Sequence, residues 1–536
     1  MKVKLRIVSL LAAPLPILAL ALPTASASTA PSGRIALAGV IAPALDHAAR
    51  TGAVAANQKL GLEVSLTPRD KASLDAFVKA VSDSRSTSYK HYLTVAQYAA
   101  AYGATNAQVA QVTSYLKSEG LSVGQVSANH LTLPVSGTAA QVEKAFDVSI
   151  GTYAAGGKSF YANAAAPSLP ADVASAVSSV AGLDNEALHT YSLQSEAATS
   201  HAGTVLTPTL AREGYNLTSD ISSGYNGSGE TIGLAEFSAY SASAVAGYNS
   251  KYSLGATAAS VVNVDGGTTD SSGSVEDELD IEVDYALAPK ATIKVYEAPN
   301  SDAGEVALYA ALVSSDVPVI SSSWGEPEQD ENNLSSDDAD FEEAAAQGQS
   351  VYAASGDSGA DDNGSSLSVD FPASDQYVSG VGGTNLTVTS GKWASETGWS
   401  GSGGGQSVEF STPSFQSSVN SSGHREVPDV SAAGGNNSPW TIDADGTYES
   451  VWGTSAAAPN WAAFSADYDS AASALGGAKF GYANSEIYTV AASSLYNSVF
   501  HDVTSGNNGG YSAGTGYDEV TGWGSYNGGA FIADEL

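Results

Sequence analysis

A mostly parallel, doubly wound α/β sheet preceded by a smaller α+β unit is the architecture that the sequence predicts. Three observations carry that prediction. Apolar, β-branched runs at 231–235, 292–296, 317–321 and 350–354 are separated by helix-length segments, the alternation that buries a parallel sheet between helices. From residue 64 to about 182, shorter helix-like and strand-like patterns alternate, as in a compact α+β unit. Between the two, residues 184–203 lose periodicity and are rich in Ala, Ser and Thr, as a cleavable linker would be.

Taken in chain order, the first segment is a targeting signal. Lys2, Lys4 and Arg6 precede an apolar run over 7–22 and then Ala25-Ser26-Ala27, the small-residue form of a signal-peptidase site. This predicts export with removal of residues 1–27. No later stretch approaches the roughly 20 apolar residues that span a bilayer, so a secreted, unanchored product is expected. Within the α+β unit, 70–82 and 106–118 read as amphipathic helices, and 131–135 and 145–153 as strands. In the larger unit, Gly/Ser-rich loops such as 400–407 connect the later elements, where a rigid sheet ordinarily carries its cleft.

At 536 residues the chain exceeds one ordinary core. With no cysteine, neither disulfides nor thiol chemistry is open to it, so a large core or a bound metal must hold the fold. Charge is divided unevenly. Residues 1–204 hold 14 Lys+Arg against 12 Asp+Glu, whereas 205–536 hold 7 against 45. That polyanionic second part repels nucleic acid and anionic membranes, and its self-repulsion relaxes as carboxylates protonate, which suits an acidic medium. Solubility alone would also explain it.

The chemistry begins at Gly453-Thr454-Ser455-Ala456 with Pro459 following, which reads as a helix start with a hydroxyl at its positive end. Such a serine suits a nucleophile, although an ordinary helix cap has the same form. A serine usually takes its base from histidine. Here His47, His91, His130, His189 and His201 precede residue 205, leaving His424 and His501, neither in the setting of such a base. The base is therefore sought among acids.

Residues 273–284 read as a helix start with Ser274 as cap. At 100° per residue Glu276 and Asp280 share the face of Leu279, Val283 and Leu287, while Glu278 and Glu282 fall opposite as solvated charge, and Asp277 and Asp284 lie at the margins. Two acids side by side toward the core suit a Glu base oriented by an Asp, sharing a proton. A third acid, Asp357, stands in Ser355-Gly356-Asp357-Ser358-Gly359. It suits an ordinary turn, and equally an oxyanion donor, which requires a protonated carboxyl.

These segments resemble the sedolisin family, the serine-carboxyl peptidases typified by kumamolisin. Glu276 with Asp280 four residues on, Asp357 between its glycines and Ser455 match that family's catalytic residues in order and context. So do Ala288-Pro289, Ser322-Ser323-Trp324-Gly325, Asp370-Phe371-Pro372-Ala373 and Arg425-Glu426-Val427-Pro428-Asp429-Val430. Ser88-Tyr89-Lys90-His91-Tyr92-Leu93-Thr94 is similar to the family's prosegment. The resemblance implies a subtilisin-like fold with His replaced by Glu, an activation prodomain over 28–183, a cleavable linker over 184–204 and a peptidase domain over 205–536. It implies a hydrogen-bond network extended by Glu236 and Trp324, and Asp370 lining the specificity side of the cleft. It further implies one structural Ca²⁺ on Asp502 and Asp518 with the carbonyls of Val503, Gly514 and Gly516, a ligand set of hard oxygens. Two departures stand out: the 507–512 loop is short, and Trp452 occupies a position where relatives often carry a small residue.

The function expected is a secreted, autoprocessed, acid-active endopeptidase that takes protein and peptide substrates and is restrained by its own prodomain, with neither nucleic acid nor membrane as partner. Two rivals are a noncatalytic Ca²⁺-dependent binding protein and an aspartic-type peptidase that activates water without an acyl-enzyme.

Overall fold

The computed structural model describes residues 33–37, 41–42, 45, 47–155, 157–186, 193–197 and 204–536. The signal-peptide reading over 1–27 lies outside these residues, as do His189 and His201. Among the described residues no helix is long and apolar enough to cross a membrane.

The N-terminal unit builds a four-stranded antiparallel sheet in the order Ser122–Val123, Thr132–Thr138, Lys59–Leu66, Val177–Ala181. Helices Lys71–Ser82 and Asn106–Ser118 form where the apolar spacing predicts them. Three of the unit's helices open on a Thr-x-x-Gln capping box, at Thr94, Thr105 and Thr138, each satisfying orphan amides reciprocally. The strand expected over 145–153 is not one element. Helix Ala139–Phe146 runs through its first residues and strand Ile150–Ala155 follows, because the Thr138 cap starts a helix that carries Ala145 and Phe146 into the core.

In the second unit the principal sheet runs Ser260–Asn263, Thr292–Glu297, Thr231–Glu236, Val319–Ser322, Ser350–Ala354, Ser379–Val388. All these pairings are parallel, and only the edge strand Trp393–Gly398 is antiparallel. Alternate residues serve opposite faces, as strand geometry demands. Ile232, Leu234, Val319 and Tyr352 join one core with Trp461, while Ala235, Ile320, Val351 and Ala353 join another with Leu308, Tyr309 and Phe341. Helices Ser274–Leu287 and Ala457–Leu475 thus cover the first face, and Asp302–Val313 and Leu334–Gln347 the second. A buried ion pair, Arg425 with Asp429 at 2.9 Å, ties the later strands together and is completed by the Tyr488 hydroxyl.

The N-terminal unit rests on that second face. Leu74, Val78, Tyr98, Tyr102 and Leu131 share a core with Ala345, Ala346 and Tyr482. Tyr92 lies over Gly348, where a Cβ would sit 2.3 Å from its ring, so only glycine admits it. Lys90 pairs with Glu486 at 2.9 Å and Lys71 with Glu342 at 2.9 Å. Part of the linker pairs with the second unit. Gln194–Ala197 forms a strand antiparallel to Thr447–Trp452, the free edge of a hairpin supplying the missing partner.

Candidate active site

The first strand, Thr231–Glu236, lies at the point where strand order reverses. To one side the chain steps to Thr292–Glu297, to the other to Val319–Ser322. Ligand sites of open parallel sheets form beyond the C-terminal strand ends at such a point. Glu236 ends the first strand, Ser323 and Trp324 follow the next, and Ser355 to Asp357 follow Ser350–Ala354. Ser455 reaches the same place from below, in a 3₁₀ turn over Thr454–Ala456 that leads into Ala457–Leu475. Ser323, Asp357, Asp370, Thr454 and Ser455 line one pocket together.

Glu276 and Asp280 lie behind this lining on helix Ser274–Leu287, both fully buried, Glu276 beside Ser455 and Asp280 beside Ser323. Glu276 accepts no hydrogen bond of ordinary geometry, yet the Ser455 hydroxyl is near enough to favour its ionised form. Burial and then the facing Asp357 push its pKa the other way, above the usual carboxylate range. Asp280 accepts the Ser323 hydroxyl at 2.8 and 2.9 Å. Burial, then Glu236 and Glu276, hold it neutral well past the ordinary value. Trp324 donates its indole N–H to Glu236 at 2.7 Å, and Glu236 meets Asp277 carboxyl to carboxyl. Four acids in one dry cluster cannot all ionise, so they titrate as a unit and share few negative charges.

Asp357 accepts the amide and hydroxyl of Thr454 on Oδ1, at 2.7 and 2.9 Å. Burial raises its pKa to about 6, against the lowering pull of those two donors. Gly453 allows the approach, since a Cβ there would sit 2.5 Å from Oδ2. Asp370 lies across the pocket beside Asp362, whose carboxyl is itself raised to about 6. Burial and then Asp362 keep Asp370 protonated far above its usual range.

Several expectations fail around this helix. Ser274 is not its cap. Gly273 holds that position and the Ser274 hydroxyl donates instead to Asp445 at 2.9 Å. Glu278 and Glu282 are not solvated, and Asp277 and Asp284 are fully buried rather than marginal. The hairpin Trp440–Ala444 and Thr447–Trp452 roofs the outer face of the helix. Glu278 there accepts the amides of Ser241 and Asp445 at 3.0 and 2.8 Å, and Glu282 that of Asp443 at 2.8 Å. Residue patterning missed Asp277, Ser323 and Thr454 as members of the site. The last two were visible only as neighbours of the Trp324 and Ser455 motifs.

The remaining histidines stand apart. His424 is exposed on strand His424–Val427, and His501 stacks on Trp393 with ring centres 4.2 Å apart. Beside His501, Asp502 accepts the Gly516 amide at 3.1 Å, and Asp518 accepts the amides of Gly514, Val520 and Thr521 at 2.8, 3.0 and 2.9 Å. The two carboxylates act on one hydroxyl, that of Tyr496. Carboxylate oxygens have lone pairs beyond these bonds, and the loop offers only oxygen donors, so its chemistry fits a hard cation. Elsewhere an acidic group, buried Glu305 and Asp337 with half-buried Glu331, is close enough to share an ion.

Fold and pocket together define a subtilase-type peptidase carrying an activation domain in front of its catalytic sheet. Residues 46–186 match the family described as pro-kumamolisin, activation domain, and residues 269–524 the subtilase family. Sedolisin of Pseudomonas sp. (strain 101) is 32% identical over 519 residues, spanning 88% of this chain and 86% of that protein. Kumamolisin of Bacillus sp. (strain MN-32) is 31% identical over 534 residues, spanning 92% and 94%. Xanthomonalisin of Xanthomonas sp. (strain T-22) is 31% identical over 558 residues, which spans 90% of this chain but 66% of that protein. The solved structure of Pseudomonas sedolisin, a serine-carboxyl proteinase, superposes with a TM-score of 0.56 at 30% identity over 62% of this chain and 98% of its own. The chain belongs to the sedolisin family of serine-carboxyl peptidases.

Proposed function

We propose that the chain is the precursor of a secreted, acid-active endopeptidase that matures by cutting its own linker, with 28–183 as prodomain, 184–204 as linker and 205–536 as peptidase. One observation carries this reading: Ser455, Glu276, Asp280 and Asp357 meet at the switch point of the sheet, with no histidine among them. Ser455 Oγ attacks the peptide carbonyl while Glu276 takes its proton. Asp280, held by Ser323, orients Glu276 and shares the charge of the cluster, which Glu236 and Trp324 extend. Protonated Asp357 donates from Oδ2 to the developing oxyanion. Collapse expels the amine, which takes the proton back from Glu276, and water then hydrolyses the acyl-enzyme by the same route. Asp370, kept neutral, would hydrogen-bond a substrate side chain on the specificity side.

Self-cleavage is supported by the linker strand. Gln194 lies opposite Trp452, three residues before Ser455, in an antiparallel register. Main-chain pairing of this kind is how extended peptides are recognised on a free strand edge. Asp502 and Asp518, with the carbonyls of Val503, Gly514 and Gly516, would hold one Ca²⁺ that braces the C-terminal loop and takes no part in the reaction.

The deciding experiment shifts the precursor to about pH 4 and follows chain length for wild type and Ser455→Ala. Wild type shortens and the variant stays intact. Equal processing of both overturns the reading, and pepstatin-sensitive activity that survives Ser455→Ala would favour an aspartic-type mechanism instead.

A further inference from the structure

At the seam between prosegment and catalytic sheet, far along the chain from the Ser455 motif, six carboxyl groups gather: Asp184, Asp302, Glu305, Glu326, Glu331 and Asp337. Glu305, Glu331 and Asp337 each present an oxygen such that all three atoms lie within 4.8 Å of one another. Asp302 faces Asp184, Glu331 and Glu305, and Glu326 faces Glu331, Glu305 and Asp302. Asp337 has no exposed surface, and neither of its oxygens receives a donor; the two oxygens of Asp302, 1% exposed, are in the same state.

The bland explanation is the helix dipole. Asp302 and Glu305 lie in the first turn of Asp302–Val313, and Asp337 in that of Leu334–Gln347, where acids are favoured. An exposed acid serves a dipole equally well, however. Taking like charges out of water without a counter-charge is unfavourable. Burial and neighbouring acids, rather than any Lys or Arg, act most strongly on Asp302, Glu326 and Asp337. Asn333 donates to Glu305 at 3.1 Å and to Glu331, but the two oxygens of buried Asp337, aimed into the same group, are left for a positive species, a proton or a metal ion.

We infer that this cluster is a divalent cation site of the catalytic unit, held by Glu305, Glu331 and Asp337 and backed by Asp302 and by Asp184, the first residue after the prosegment. The donors are all hard oxygens of acidic side chains, the set that Ca²⁺ prefers. Prosegment and site are locked together by packing. Ala181 shares a small core with Ala303 and Val306, and the Ser179 hydroxyl meets that of Ser336 at 2.5 Å, one residue before Asp337. An ion here therefore clamps the prosegment to the two helices on which it rests. The site is separate from the Asp502–Asp518 loop and does not depend on the hydrolytic reading.

The test is calcium titration, by calorimetry and thermal melting, of chelator-treated full-length Ser455→Ala precursor at neutral pH. Against that parent, Asp502→Asn keeps a calcium site that Asp337→Asn loses, and Asp184→Asn weakens the same site by roughly 10- to 100-fold. Calcium raises the melting temperature of the parent, and the part of the rise due to this site disappears in Asp337→Asn. Should Asp337→Asn fail to fold, Asp302→Asn gives the same reading. Identical stoichiometry and affinity in parent and Asp337→Asn, the result for a cluster held by protons alone, overturns the inference.

Discussion

Thr454 holds Asp357 by one oxygen only. Its amide and hydroxyl both end on Oδ1, at 2.7 and 2.9 Å, and Oδ2 is left without a donor beside Gly453. A carboxyl fixed in this way has one place for its proton, the oxygen that Thr454 leaves free.

Asp357 titrates at about 6, so its donor form is complete well below that pH and is lost as pH rises through it. The kcat/KM of the mature peptidase on a peptide substrate should fall along that limb. Thr454→Val removes a donor that favours the charged form, so the limb moves to higher pH. Asp357→Ala should cost about 10²–10³ in kcat, the usual loss for an oxyanion donor. A limb unmoved in both variants would remove Asp357 from the mechanism.

Ser323 is expected to position Asp280 rather than touch substrate. Ser323→Ala leaves a buried carboxyl without its hydroxyl donor, a loss of about 1–3 kcal/mol at this cluster. Turnover should fall roughly tenfold with KM little changed, and the acid limb of the pH profile should shift. Ser323→Thr should restore part of the rate, which a merely structural role would not require.

Stability should be greatest in acid. Burial raises Asp357 to about 6, Glu278 to about 7 and Asp340 to about 8. The folded chain thus binds these protons more tightly than the unfolded one. That stabilisation is complete below roughly pH 4 and is lost as pH rises through those values. Thermal melting of Ser455→Ala precursor in a calcium-free buffer series should show the melting temperature falling between about pH 5 and 8. A flat or rising profile would mean that these groups ionise without cost.

The maturation bond should lie on the N-terminal side of Gln194, since Gln194 is the strand residue paired with Trp452, three residues before Ser455. Mass spectrometry of the acid-processed chain tests this. A new N-terminus beyond Ala197 would mean that the paired strand is not the one cut.

Much of the site was legible because its chemistry is local. Glu276 and Asp280 share a face by helix geometry alone, and Ser455 sits in a run of six small residues, 453–458. Glu278 and Glu282 were misread for an equally physical reason. Helical spacing says which residues lie opposite the core, but not that a hairpin more than 150 residues later covers them. Strand 145–153 failed similarly, because the capping box at Thr138 outweighs β propensity in the residues that follow.

The sequence by itself determined the alternating order of strands and helices, the acid and serine motifs, and the want of a histidine where a base is needed. These follow from short-range rules of periodicity, capping and side-chain chemistry. Tertiary structure alone decided that Thr454 pins one oxygen of Asp357, that Asp277 meets Glu236, and that Asp184 at the start of the linker meets Asp302. Such contacts join residues far apart in the chain, and the dry surroundings that give them their strength exist only once the sheet has closed over them.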